Sequence, residues 1–228
     1  MLTIPSQKAR SFLRWLIPLV LIPLTVILGA VVFDEKRHLW ISFAVALLAV
    51  ILFLTGFERR AVGSRRMVLV SVMIAFCVIG RLIPFFKPVA ALTVLTAVYL
   101  GGETGFMVGA LSALLSNFYF GQGPWTAFQM LAWGLIGLLA GILSKPLQSR
   151  RLALLFYGVG SGVFYSLVMD VWTVISYHGH FHAGLYLGAV VTALPYTVLY
   201  ALSNFIFLWF LGRPFGEKFG RIKRKYGI

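Results

Sequence analysis

The chain has one cysteine, Cys77, and it lies inside an apolar run. That permits no internal disulfide and leaves Cys77 as a small packing residue. Acidic side chains are scarce too, six Asp and Glu against twenty Lys and Arg, for a formal net charge of +14. No G-x-x-x-x-G-K-[ST] sequence occurs, so the chain lacks the P-loop chemistry of ATP hydrolysis. Nor is there a pairing of nucleophile and base. Gly160-Ser161-Gly162 with histidines downstream has the look of a serine dyad. Ser161, however, falls about nine residues into its helix from one end, and the histidines lie beyond the other.

What the chain has is apolar length. It is 60% hydrophobic and 11% charged, with a mean hydropathy of +0.93. Repeated apolar runs near 20 residues predict an all-α polytopic membrane bundle. The runs are 12–33, 39–57, 67–86, 88–102, 104–120, 125–144, 152–176 and 184–212, followed by a basic tail ending RIKRKYGI. The first is bent by Pro18 and Pro23, and without a small-residue cleavage site it reads as a retained helix rather than a signal peptide. Small residues at four-residue spacing, Gly105–Gly109–Ala113, Gly137–Gly141 and Gly158–Gly162, predict close helix contacts. They begin only after the second run, so residues 1–58 read as a two-helix N-terminal extension and 59–228 as a six-helix core.

The basic charge is an orientation signal. With eight spans, one side collects Lys8, Arg10, Arg14, Arg59, Arg60, Arg65, Arg66, Lys145, Arg150, Arg151 and the six cations from Arg213 onward. The other side has only Lys36, Arg37 and Lys87, and Arg81 falls within the third run. Joining 88–120 into one span would split the large set. Both termini are therefore expected in the cytoplasm of a cell-membrane protein, with affinity for anionic lipid and none for nucleic acid.

One uncharged stretch, SNFYFGQGPWTAFQMLAWGLIGLLAG at 116–141, stands out. It reads as one helix end, a Gly-Gln-Gly-Pro turn and a new helix with Pro124 at its start. Asn117, Gln122 and Gln129 sit among Phe118, Tyr119, Phe120, Trp125, Phe128 and Trp133. Trp125, Gln129 and Trp133 share a face by their four-residue spacing. An aromatic belt at the membrane surface explains the rings but not the amides, so a ligand site is expected. At 1.5 Å per residue, Arg81, Asn117 and Asp170 lie roughly 20–27 Å from the cytoplasmic ends of their helices, in the outer half. Asp170 is the only carboxylate inside a span and so the expected partner of Arg81, as a clip between helices or with a contact to substrate. Trp172 adjoins it, and Thr192, Tyr196 and Tyr200 share a face beside Pro195. These residues outline an outward-facing cup, aromatic and nearly neutral, suited to a flat heterocycle or a large cofactor. His178, His180 and His182 alternate in the last outer loop. With no Cys or carboxylate nearby to complete a first shell, a wet loop or a lid is expected there, not a metal site.

The stretch at 116–141, with GRLIPFFKPVAALTVLTAVYLGGETGF upstream and MDVWTV and TALPYT downstream, resembles the S components of energy-coupling factor (ECF) transporters. The likeness covers residues 67–212 and is nearest to the group assigned to cobalamin or its building blocks (CblT or CbrT). It implies the substrate-binding membrane subunit of an ATP-driven vitamin importer. Such a subunit is no enzyme, needs no cofactor, and works with an EcfT-like transmembrane coupling protein and two ABC-type ATPases. The resemblance further implies docking on EcfT through small residues of the first core helix, here Ser71 and Ala75. The nickel and cobalt branch carries a Met-His start where this chain has Met-Leu. The expected vitamin pocket is Arg81, Asn117, Gln122, Trp125, Gln129, Trp133, Asp170, Trp172 and Tyr196. A membrane enzyme or standalone facilitator, or a transition-metal S component, are the alternatives.

Overall fold

A computed structural model describes residues 7–32, 38–55 and 60–226 of the chain. The charged loop with Lys36 and Arg37, and the boundary between extension and core at 58–59, lie outside the described residues. Every described element is a helix, the structure that satisfies its own backbone in lipid. The first run is α1 (Gln7–Leu16), a π-helical turn (Ile17–Leu21) and α2 (Ile22–Val32). Pro18 lies inside the π turn, where the amide of Ile22 reaches back to the carbonyl of Ile17. The expected bend is thus a widened turn that absorbs the missing proline donor.

α3 (His38–Thr55) packs against α6 (Gly102–Phe120) and α7 (Trp125–Ile142). Its Val45, Ala49, Leu52 and Phe53 join the same buried cluster as the core helices. At one end Arg14 pairs with Glu103 across 3.2 Å, tying the first helix to the start of α6. Arg66 of α4 (Arg60–Gly80) anchors the same corner. Its Nε donates to Thr104 Oγ1 over 2.8 Å, and an Nη2 hydrogen reaches the carbonyl of Leu100.

Residues 88–120 form two helices rather than one. α5 (Val89–Leu100) ends at Gly101, whose φ of 99° is open to glycine and strained for other residues. The chain then folds back, and Gly105 of α6 lies against Ala97 of α5 and the carbonyl of Gly137 on α7. Gly109 meets the backbone of Trp133 and Gly134, so α6 and α7 touch backbone to backbone. A short α8 (Ser144–Ser149) leads into α9 (Arg151–His178) and α10 (Ala183–Tyr226). Gly158 and Gly162 seat α9 on α10, at Leu208 and at Tyr200–Ala201 respectively. All three small-residue stripes therefore mark close contacts.

Among the described residues four stretches are long and apolar enough to cross a bilayer alone: Phe12–Gly29, Trp125–Ile142, Arg151–His178 and Ala183–Ile222. Leu39–Leu54 and Val89–Leu100 are apolar but shorter. Two element ends differ from expectation. α4 stops at Gly80, so Arg81 opens a turn rather than interrupting a span. α10 runs on through the basic tail, because Phe219 stacks on Tyr99 of α5 at 5.6 Å and is buried there.

Candidate functional site

The site begins where α4 ends. Arg81 is buried, and its Nη1 donates to Asn117 Oδ1 over 2.6 Å and to Ser116 Oγ. Both acceptors lie in the last turn of α6. The guanidinium lies over two rings, Phe120 at 4.9 Å and Trp133 at 5.2 Å from their centroids, an arrangement that favours a cation in a desolvated place. Among the described residues Arg81 has no ion pair with Asp170. Asp170 is buried on α9 at 6% exposure, and its Oδ2 has no hydrogen-bond partner. The expected pair is therefore corrected. Arg81 bonds the α6 end and lies on aromatic faces, while Asp170 sits one turn beyond Ser166, which bonds Thr197 on α10.

From Asn117 the network continues inward. Its Nδ2 donates to Thr126 Oγ1 and to Gln129 Oε1, each at 2.8 Å. Gln129 Nε2 donates in turn to the hydroxyl of Tyr165 over 3.1 Å. The Tyr165 ring stacks on Trp133 with centroids 5.1 Å apart and planes 9° apart, and meets Tyr200 edge-on at 5.1 Å. One chain of donors thus runs from α4 through α6 and α7 to α9, and ends on an aromatic wall.

In front of that wall is a cavity of about 60 Å³ lined by Arg81, Lys87, Gln129, Trp133, Tyr165, Tyr200 and Asn204, with Val89, Ala90 and Gly162. Its floor is the start of α5. The carbonyl of Lys87 accepts from Ser203 Oγ at 3.0 Å, which pins the loop before α5 to α10. Ser203 precedes Arg213 by ten residues, or about 15 Å of helix. α5, at about 18 Å, is a half-length helix whose N-terminus opens into the cavity.

Of the nine expected pocket residues, Arg81, Gln129 and Trp133 line the cavity and Asn117 braces it from behind. Gln122 serves the turn instead, donating to the carbonyl of Leu114 and accepting from Thr126. The Trp125 ring lies over Gly123, the reason that position has no side chain. Trp172 packs on Phe128 at 5.5 Å. Tyr196, at 65% exposure, stands one helical turn before Tyr200, outside the cavity lining.

Lys87, Tyr165 and Asn204 were not anticipated. Asn204, a lone amide in the last apolar run, carried the same polar-in-membrane signal as Asn117. Lys87 looked like a loop charge, and Tyr165 had no spacing to distinguish it. Lys87 also changes the character of the cup, which is cationic rather than nearly neutral.

Away from the cavity, the Ser161 hydroxyl donates to the carbonyl of Tyr157, a bond internal to α9. The rings of His178 and His180 are 4.5 Å apart and those of His178 and His182 5.8 Å. Among the described residues no group of three His, Cys, Asp or Glu is arranged to hold a metal ion. On α4, Ser71 and Ala75 lie on an exposed face with Val68, Val72, Phe76 and Ile79.

A family model described as ECF-type riboflavin transporter, S component, matches residues 62–215, more than half of the chain and all of the cavity. No curated protein and no solved structure matches.

Proposed function

Because the chain belongs to the family of S components of ECF-type riboflavin transporters, we propose that its cavity is the vitamin site of an ATP-driven importer. The observation that carries this reading is the walled cup itself. Aromatic surface from Trp133, Tyr165 and Tyr200 stands beside amide groups from Gln129 and Asn204 at the end of a half-length helix. Small-molecule sites divide labour in this way, with rings for burial and a few polar groups for orientation. Broken helices in transporters put their ends at the substrate.

The bound molecule is a flat heterocycle, and a flavin is its best representative. The nearness to the cobalamin group points to a corrinoid instead. Of the two, the planar ring system asks for the smaller opening of a cavity of about 60 Å³. The chain itself is the capturing subunit; energy comes from an EcfT-like coupling protein and two ABC-type ATPases. Ser71 and Ala75 form the coupling contact, on a face of α4 that no part of the described chain covers. Both termini are cytoplasmic, and the cup opens outward.

Calorimetry on the detergent-purified subunit tests the substrate, with riboflavin, cobalamin and a corrinoid precursor titrated in turn. Saturable riboflavin binding without cobalamin binding is expected. Cobalamin binding alone would return the chain to the cobalamin group, and binding of neither would remove the flavin reading. Co-purification of two ATPases and a coupling protein tests the assembly.

A further inference from the structure

The cup has two cations and no carboxylate. Arg81 and Lys87 both line it, and none of the lining residues is acidic. Among the described residues no ion pair joins either one to Asp or Glu, in contrast to Arg14–Glu103, Arg213–Glu217 and Arg221–Glu217. Arg81 is already held by Ser116 and Asn117. Lys87 is not held in this way. Its Nζ has the face of Phe120 at 5.4 Å, and its backbone, not its ammonium, makes the bond to Ser203.

A third positive element meets them. Val89 and Ala90, the first residues of α5, also line the cavity. First-turn amides have no carbonyl partner within their helix, and they carry the positive end of its dipole. Two full charges and a helix end converge on one small space, and nothing in the described chain neutralises them. Burying an uncompensated cation is costly, so the arrangement is favourable when the counter-charge arrives with the ligand.

Taking the cavity as the substrate site, we infer that the cup is built for an anion. The bound molecule carries a carboxylate or phosphate that the Lys87 ammonium grips. Arg81 and the first turn of α5 supply the surrounding field, and the ring of the ligand lies toward Trp133 and Tyr200. An anion gripped in this way binds more weakly as salt rises.

The test compares an anion with its neutral counterpart on the detergent-purified subunit. Riboflavin and riboflavin 5′-phosphate are titrated at low and high salt, following tryptophan fluorescence, on the native chain and on Lys87→Gln. The phosphate ester should bind tighter by about tenfold or more at low salt, as a charge-assisted hydrogen bond gives. That preference should collapse in Lys87→Gln and shrink in high salt. The carbonyl that anchors this loop survives the substitution, and thermal unfolding checks that the variant is folded. If riboflavin binds and its phosphate binds equally or less well, the anion inference falls while the flavin reading stands. If neither flavin binds, the flavin reading falls, and nicotinate against nicotinamide and biotin against biotin amide decide the inference. Preference for the acid, lost in Lys87→Gln, supports it. No acid preferred over its amide overturns it.

Discussion

Arg81 and Asn117 are bound at 2.6 Å where α4 and α6 end, and Asn117 spends its amide hydrogens on Thr126 and Gln129 of the next helix. One side chain thus joins three helices. It accepts from the buried cation while donating to the aromatic wall's hydrogen-bond chain. Asn117→Ala should cost more than a typical core truncation, because it leaves a guanidinium short of an acceptor and two acceptors short of donors. Each unsatisfied buried group costs about 1–3 kcal/mol. Asn117→Asp keeps the acceptor for Arg81 and should retain more stability. Thermal unfolding in detergent checks the order native, Asp, Ala; an alanine variant as stable as the native chain would remove Asn117 from this role.

Asp170 gives the opposite expectation. Its buried Oδ2 has no partner, and Arg81 is satisfied elsewhere. Asp170→Asn should therefore leave the unfolding temperature at or above that of the native chain, since a buried unpaired charge is removed. Ligand affinity should stay within about twofold, roughly 0.4 kcal/mol. A fall of several degrees, or loss of expression, would mean that Asp170 supports Arg81 after all.

The difference between these two residues measures what the sequence could say. The order of helices was legible, as were the break at Gly101 and the stripes at Gly105, Gly137 and Gly158, because hydropathy and four-residue spacing act within one segment. Pairing across helices was not legible. Asp170 was the only carboxylate in the apolar runs and Arg81 the one cation in them away from the cytoplasmic clusters, and electrostatics alone would join them. The structure instead satisfies Arg81 through Asn117, Ser116 and two rings, partners whose suitability depends on where α4 stops. Hydropathy carried the third run past Gly80, which concealed the turn. Lys87 was not expected in the cavity lining for a related reason. Its loop is pinned to Ser203 of α10 and lines the cavity, whereas a positive-inside count treats every loop as surface.

Packing at the α6–α7 contact is open to a paired test. A Cβ on Gly105 would lie 2.3 Å from that of Ala97 and 3.0 Å from the carbonyl of Gly137, whereas one on Gly160 meets nothing within 4 Å. Gly105→Leu should destabilise by about 1–3 kcal/mol or prevent folding. Gly160→Leu, placed on the outside of α9, should be close to neutral in lipid. Equal yields and equal unfolding temperatures for the two variants would contradict the close approach.

Orientation can be read from thiol labelling. In a Cys77→Ala background, a cysteine replacing His180 should react with an impermeant maleimide on whole cells, and one replacing Lys225 should react only after lysis. The expectation rests on the uneven placement of Lys and Arg. Labelling of the tail in intact cells, without labelling at 180, would invert the topology.

The coupling face is the last expectation, and it separates transport from binding. Ser71 and Ala75 lie on α4 among exposed Val68, Val72, Phe76 and Ile79, and the Ser71 hydroxyl is spent on the carbonyl of Met67. Such a strip is apolar and shallow at its centre. In lipid, that shape lets another helix approach closely enough for dispersion to hold it. Neither residue lines the cavity, so enlarging both should leave the cup as it is. The double variant Ser71→Leu with Ala75→Leu is therefore expected to bind vitamin with native affinity by calorimetry. It should lose uptake in cells that express the coupling protein and both ATPases, and lose co-purification with them. Undiminished uptake would put the docking contact on another face. Loss of binding together with uptake would show that these side chains support the core rather than the partner.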